Sequence, residues 1–180
     1  MVELELPIIG VIPTLLAALE KHKNAVLSAE PGAGKTTRVP VALLEAKWLQ
    51  GKKIIMLEPR RLAAQRAATY MAQEMGERVG ETIGYRIRGE SKISKRTRIE
   101  VVTEGVLTRL LQSDPGLADV GIVIFDEFHE RSIHADLGLA LTLDAQEHLR
   151  EDLRILVMSA TLDNLAVAAL LGDAETISSE

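Results

Sequence analysis

Eight consecutive residues, Ala29-Glu30-Pro31-Gly32-Ala33-Gly34-Lys35-Thr36, carry the clearest chemistry in the chain. Their spacing is that of a phosphate-binding loop, G-x-x-x-x-G-K-[ST], with Ala29 in place of the first glycine, where a small residue still fits. Gly32 and Gly34 let the backbone curl on either side of Ala33, so that several N–H groups point at one phosphate. A helix opening at Lys35, Thr36 and Thr37 adds the partial positive charge of its N-terminus. Lys35 is then placed to reach the β- and γ-phosphates of a nucleotide, and the Thr36 hydroxyl to bind Mg²⁺.

A second constellation complements the first. The apolar run Gly121-Ile122-Val123-Ile124-Phe125 delivers Asp126 and Glu127 at its end. In a parallel sheet that end is where ligands bind. Asp126 is expected to hold Mg²⁺ through water. Glu127 is expected to orient and deprotonate an attacking water as a catalytic base. His129 alone would be a weak signal, but three residues after the metal carboxylate it reads as a sensor or coupling group.

Positioning these groups requires strands alternating with helices. Apolar runs at Ala25–Ala29, Lys53–Glu58, Thr82–Ile87, Arg98–Thr103, Gly121–Asp126 and Ile155–Ser159 suit strands covered on both faces. Helical patterns fall at roughly 11–22, 35–47, 60–75, 104–113, 134–148 and 162–171. In the fifth helix Leu137, Ala140, Leu141 and Leu143 suggest an apolar stripe. The order implies βαβ units with right-handed crossovers: an α/β fold with a mainly parallel sheet flanked by helices on both faces. The chain is expected to be one N-terminal domain, cut after a strand-like start at Ile177 rather than finished there.

Composition narrows the class further. The chain has 180 residues, no cysteine, 47% hydrophobic and 26% charged residues. That length buries a core without staples, and the lack of cysteine excludes disulfides, Cys-based zinc sites and thiol nucleophiles. No apolar run reaches the roughly 20 residues of a membrane span, and the acidic start MVELELPIIG is wrong for a targeting signal. A cytoplasmic monomer is the expectation. The net charge of −5 argues at first against a nucleic-acid partner. Resolved along the chain, however, it divides into a neutral segment 1–51, a +6 segment 52–109 and a −11 segment 110–180. A local phosphate-contacting face needs no globally basic protein.

At Asp126-Glu127-Phe128-His129 the chain resembles the first RecA-like domain of DEAH-box helicases of superfamily 2, and within them the bacterial HrpB-type branch, which carries Phe third. The resemblance spans about residue 10 to 180, with the family's motifs in order. These are Ala29–Thr37, Pro59-Arg60-Arg61-Leu62-Ala63-Ala64, Thr103-Glu104-Gly105, Asp126-Glu127-Phe128-His129-Glu130-Arg131-Ser132, and Ser159-Ala160-Thr161. Each is modest alone; five in order are specific.

The resemblance implies a nucleotide-binding motor domain that couples hydrolysis of ATP with Mg²⁺ to movement along single-stranded nucleic acid, with RNA the expected kind. It implies nucleic-acid backbone contacts from Arg60, Arg61, Thr103 and Gly105, and more weakly from Arg88 in a turn. Ser159 and Thr161 would link the nucleotide to movement between two RecA-like domains. The second of those, with its arginine fingers, and the C-terminal domains lie outside this chain, so the piece alone is expected to hydrolyse slowly and not unwind. Two departures stand out. Tyr70 occupies the place where relatives commonly offer a base-stacking arginine. No glutamine precedes Gln50, which fits loose reading of the base and use of several NTPs. The competing readings are a P-loop enzyme acting on a small molecule, such as a kinase, and a non-catalytic interaction module. The Ser159–Thr161 and Pro59–Arg61 motifs count against the first, and intact Lys35, Thr36, Asp126 and Glu127 against the second.

Overall fold

The structure is a computed structural model that describes residues 7–30, 34–130, 132–160, 164–172 and 174–178. Eight strands form its sheet: β1 Asn24–Ser28, β2 Lys53–Leu57, β3 Ile83–Ile87, β4 Glu90–Lys92, β5 Ile99–Val102, β6 Val120–Phe125, β7 Arg154–Ser159 and β8 Glu175–Ser178. Six helices accompany them: α1 Ile12–Lys21, α2 Lys35–Leu43, α3 Arg61–Glu74, α4 Glu104–Ser113, α5 Ile133–His148 and α6 Asn164–Leu170. The strand order is β4-β3-β5-β2-β6-β7-β1-β8. All neighbours pair in parallel except β3 with β4.

Alternation along each strand divides the core into two layers. Ala25, Leu27, Ile54, Met56, Ile122, Ile124, Leu156 and Met158 pack on one face with Leu15 and Leu19 of α1, Val39 and Leu43 of α2 and the alanine face of α3. Val26, Ile55, Leu57, Val123, Phe125, Ile155 and Val157 pack on the other with α4, α5 and α6. Every residue of β6 is buried, as its unbroken Ile/Val run foretells. Each fully buried Ile, Leu or Val contributes about 1.5–3 kcal/mol, which fixes the register of the central strands. The expected α/β sandwich is therefore present, with helices on both faces.

Three expectations need correction. The stripe Leu137, Ala140, Leu141, Leu143 is not the buried face of α5. Ala135, Gly138, Leu139, Thr142, Ala145 and Gln146 are buried instead, while Leu137 remains 44% exposed. Small residues face inward because α5 lies close on the sheet and on α4: a Cβ at Gly138 would stand 3.2 Å from Leu107 Cδ2 and 3.6 Å from Phe125 Cε1. Second, α2 ends at Leu43 rather than 47. Leu44 N–H bonds Val41 O at 3.2 Å, a tighter turn that closes the helix, and the chain continues into a short 3₁₀ segment at Lys47–Leu49. Third, β4 was absent from the expected strands. It has three residues, none buried, so no apolar pattern announces it.

Candidate nucleotide and nucleic-acid site

The site assembles on the C-terminal edge of the sheet. β1 and β6 both border β7, so the segment after Ser28 and the one after Phe125 emerge on either side of Ser159. Backbone hydrogen bonds tie these exits together: Ala29 N–H donates to Ser159 O at 3.0 Å, Asp126 N–H to Leu57 O at 3.1 Å and Phe128 N–H to Met158 O at 3.1 Å. Ala29 is itself buried, so a methyl at this position is accommodated.

Gly34 stands before α2 with φ +90°, a conformation open to glycine at little cost. Gly32 and Ala33, and likewise Thr161, lie outside the described residues. Lys35, the first residue of α2, is buried and points its Nζ at Glu127 Oε1, 2.6 Å away, and at Asp126 Oδ1, 3.5 Å away. Burial is the largest influence on this ammonium and pulls its pKa down. Asp126 and Glu127 together outweigh it and hold Lys35 above its ordinary value. The next residue, Thr36, donates its hydroxyl to Asp126 Oδ2 at 2.6 Å. Asp126 Oδ1 also accepts the Glu127 N–H at 2.9 Å. The two sequence constellations, 90 residues apart, thus meet in direct hydrogen bonds.

Glu127 has φ +53°, a left-handed backbone that non-glycine residues adopt rarely and usually where a site demands it. The bend lets Asp126 face Thr36 while Glu127 faces Lys35. His129 lies 3.0 Å, through Nε2, from Glu127 Oε2. Its Nδ1 accepts the Ala160 N–H at 3.1 Å, which leaves Nε2 as the protonated, donating nitrogen. His129 therefore joins Glu127 to the Ser159-Ala160 segment through one ring. Ser159 is buried at the end of β7.

The other expected residues sit around this centre. Thr37 and Tyr70 line one cavity of about 760 Å³ together with Thr36, Arg60, Arg61 and Arg66. Tyr70 is 45% exposed there, on the face of α3 that looks toward α2's first turn. Arg60 and Arg61 are both exposed. Arg60 is held by Glu130, and Arg61 approaches Glu90 at 3.8 Å. Arg88 is exposed in the turn between β3 and β4. Thr103 stands at the position before α4 and Gly105 is exposed in that helix's first turn, with open space where a Cβ would go. Arg86, Gly89, Glu90 and Arg109 line a separate cavity of about 330 Å³ between the β3–β4 hairpin and α4.

Sequence reasoning missed three participants. Glu58, after β2, is 4% exposed and lies beside Asp126. Burial first, then the neighbouring Asp126, pushes its pKa up to about 10. Its signal was slight, a carboxylate ending an apolar strand just as Asp126 does. Glu130 pairs with Arg60, and Glu104 accepts the Ser132 hydroxyl at 2.8 Å. Ser132 in turn accepts the Ala135 N–H at 3.0 Å and caps α5. No spacing rule joins these long-range pairs.

The model of the DEAD/DEAH box helicase family matches residues 10–168. The chain belongs to that family. Among curated members, the ATP-dependent RNA helicase HrpB of Escherichia coli K12 is 53% identical over 175 residues, covering 97% of this chain and 22% of the relative. The ATP-dependent RNA helicase HrpA of Borreliella burgdorferi is 36% identical, covering 99% of this chain and 22% of that relative. A crystal structure of the E. coli DExH-box NTPase HrpB superposes with a TM-score of 0.95 at 51% identity, covering all of this chain and 22% of that one. The helicase-family fold is thus shared throughout, and the chain spans about a fifth of the length of these relatives. Among the described residues, no helix is long and apolar enough to cross a membrane.

Proposed function

We propose that this chain is the nucleotide-binding motor domain of an ATP-dependent nucleic-acid helicase acting on single-stranded RNA. The observation that carries the reading is the meeting of Lys35 and Thr36 with Asp126 and Glu127 in hydrogen bonds as short as 2.6 Å. The donor set suits Mg²⁺: a hydroxyl and a carboxylate, both hard oxygens, converge at Thr36 and Asp126, and such a cation keeps waters for its remaining positions. Bound there, Mg²⁺ would supply positive charge to the phosphate oxygens. Lys35 exchanges its carboxylate partners for phosphate. Glu127, released from Lys35 and held by His129, takes a proton from the attacking water. Gly32, Ala33, Gly34 and Thr37 cradle the phosphates, and Tyr70 offers a face on which a base stacks without its edges being read. Several NTPs should therefore serve.

Arg60, Arg61, Arg88, Thr103 and Gly105 grip the nucleic-acid backbone, which carries no sequence information. Ser159 and Thr161 transmit nucleotide state, with His129 as their link to Glu127. The length of the relatives supports a second RecA-like domain in the same full-length chain as the partner across the nucleotide. The whole protein is read as cytoplasmic and monomeric, with residues 1–180 as its first RecA-like domain.

The test is NTP hydrolysis by the full-length protein with single-stranded RNA, with DNA and with neither. RNA should raise kcat and ATP should not be the sole substrate. Turnover indifferent to all nucleic acid would overturn the helicase reading and favour a small-molecule P-loop enzyme.

A further inference from the structure

Arg86 and Arg109 line the cavity of about 330 Å³ between the β3–β4 hairpin and α4, and the reading above gives neither of them a task. Alternation along β3 brings Arg86 there. Ile83, Tyr85 and Ile87 pack into the layer that holds α3, so Arg86 projects from the opposite face, toward α4. Its neighbours on that face are apolar, Val102 beside it on β5 and Val106 on α4. A half-buried guanidinium in such a place needs a partner. Glu100 of β5 is 3% exposed, and its Oε2 lies 3.7 Å from Arg86 Nη1. The other oxygen of Glu100 is already engaged, because Lys53 Nζ donates to Oε1 at 3.1 Å. One ammonium balances that carboxylate, so Arg86 is a second cation against a single negative charge.

The rest of the cavity keeps this surplus. Arg109 is exposed on α4, its Nε donates to Gly105 O at 3.5 Å, and no acid pairs with it among the described residues. Glu90 also lines the cavity, but its oxygens are taken up elsewhere. Oε1 accepts the Tyr85 hydroxyl at 2.7 Å, and Oε2 accepts Gln65 Nε2 at 3.0 Å and lies 3.8 Å from Arg61. Those partners hold the Glu90 carboxylate toward α3. Ser91 and Ser113 add hydroxyls to the lining. A guanidinium presents paired N–H donors whose geometry matches a phosphate. The cavity is also well placed to receive one. Gly89, next to Arg88, and Val106, next to Gly105, both border it, so a strand held by Arg88 and Gly105 passes its mouth.

We propose that Arg86 and Arg109 form a further phosphate subsite, which takes one phosphodiester group of the nucleic-acid strand beyond those held by Arg60, Arg61, Arg88, Thr103 and Gly105. The inference rests on the reading of this chain as a domain that binds single-stranded nucleic acid. The contact is made to the backbone and is blind to sequence. Replacing both arginines by glutamine removes the two positive charges, while Glu100 keeps Lys53 as its partner. Replacing both by lysine keeps the charges.

The experiment uses the full-length protein and a fluorescein-labelled oligouridylate, with affinity read by anisotropy over a series of salt concentrations. The double variant Arg86→Gln, Arg109→Gln should bind more weakly, and its slope of log affinity against log salt should be shallower by about 0.7, the value for one phosphate of a single strand. Equal slopes in wild type and double variant overturn the inference. The double variant Arg86→Lys, Arg109→Lys should recover the wild-type slope; a slope as shallow as that of the glutamine variant would make the effect one of packing, and the inference falls. A second arm places one neutral methylphosphonate at each position of the oligonucleotide in turn. Wild type should lose affinity at one position where the glutamine variant loses none, and the other sensitive positions should coincide. Identical profiles overturn the inference and assign the cavity to another partner, such as an acidic protein segment. Should the double glutamine variant fail to fold by circular dichroism, Arg109→Gln decides at its exposed position, since a methylphosphonate profile equal to wild type overturns the inference. Arg60→Gln is the control for the underlying reading. If wild type fails to bind the oligonucleotide at every salt concentration, the single-strand reading itself fails; if Arg60→Gln flattens the slope and the double variant does not, only the Arg86–Arg109 inference falls.

Discussion

Two carboxylates one residue apart have different partners because the backbone turns between them. The left-handed φ of Glu127 separates its side chain from that of Asp126, leaving one on Thr36 and the other on Lys35 and His129. Glu127→Gln keeps the shape and the His129 contact but removes the base. In the full-length protein its kcat should fall about 10²–10⁴-fold, with nucleotide binding retained in a fluorescence titration; full turnover would remove Glu127 from that role. Glu58 makes a different prediction about stability. Its folded pKa lies at about 10 against an ordinary value of 4.5. The native state therefore keeps a proton that the unfolded chain releases, and stability on this group's account falls as pH rises from 4.5 towards 10. Glu58→Gln cannot ionise. Melting temperatures from pH 5 to 9 should decline more steeply in wild type than in the variant, and parallel profiles would show that Glu58 ionises normally. Lys35, Thr36, Asp126 and Glu127 were all legible in the sequence, because strand, loop and helix surround them in a fixed order. Glu58 was not: its burial beside Asp126 depends on β2 lying beside β6, and no spacing encodes that adjacency.

At the scale of elements, the segment after β6 is where the motifs join. His129 reaches Ala160 after β7, Glu130 holds Arg60 before α3, and Ser132 reaches Glu104 at the start of α4. One short turn therefore touches the exits of three other strands, an arrangement that suits the coupling proposed between nucleotide and nucleic acid. Ser132→Ala removes the cap of α5 and the link to Glu104. It should cost about 0.5–2 kcal/mol in chemical denaturation. The β3–β4 hairpin offers a cleaner separation of binding functions. A Cβ at Gly84 would stand 2.1 Å from the Lys92 carbonyl oxygen, so Gly84→Ala must displace β4 and with it the turn that carries Arg88. RNA affinity should weaken while nucleotide affinity is unchanged, which filter binding and nucleotide titration would read separately. The hairpin's second strand escaped sequence reasoning because its three residues bury nothing. The inward face of α5 escaped because close packing selected small residues such as Ala135, Gly138 and Ala145 there, while Leu137, a usual core signal, was left 44% exposed.

For the whole molecule, charge distribution bears on the proposed grip on nucleic acid. The net charge is −5, yet Arg60, Arg61, Arg88 and Thr103 all fall in the +6 segment 52–109. Backbone contacts of this kind release counterions, so binding by this domain should weaken steeply with salt, with a slope on logarithmic axes of about −0.7 per neutralised phosphate of a single strand. Salt-independent affinity would sink that reading. Likewise, if a second domain supplies an arginine finger, residues 1–180 alone should hydrolyse about 10³–10⁵-fold more slowly than the full-length protein, and equal kcat values would refute the requirement. The sequence by itself determined the alternation of strands and helices, the layered core and which residues, Lys35, Thr36, Asp126 and Glu127, would meet at the sheet edge. Those features rest on local periodicity and on residue types that chemistry restricts. Only the tertiary structure decided the strand order, which sets β7 between β1 and β6 and β2 on the far side of β6. Order in a parallel sheet follows from how crossovers pack, and no single segment records it. That order is what places Ser159 between the segments that follow β1 and β6, Glu58 beside Asp126, and Glu130 within reach of Arg60.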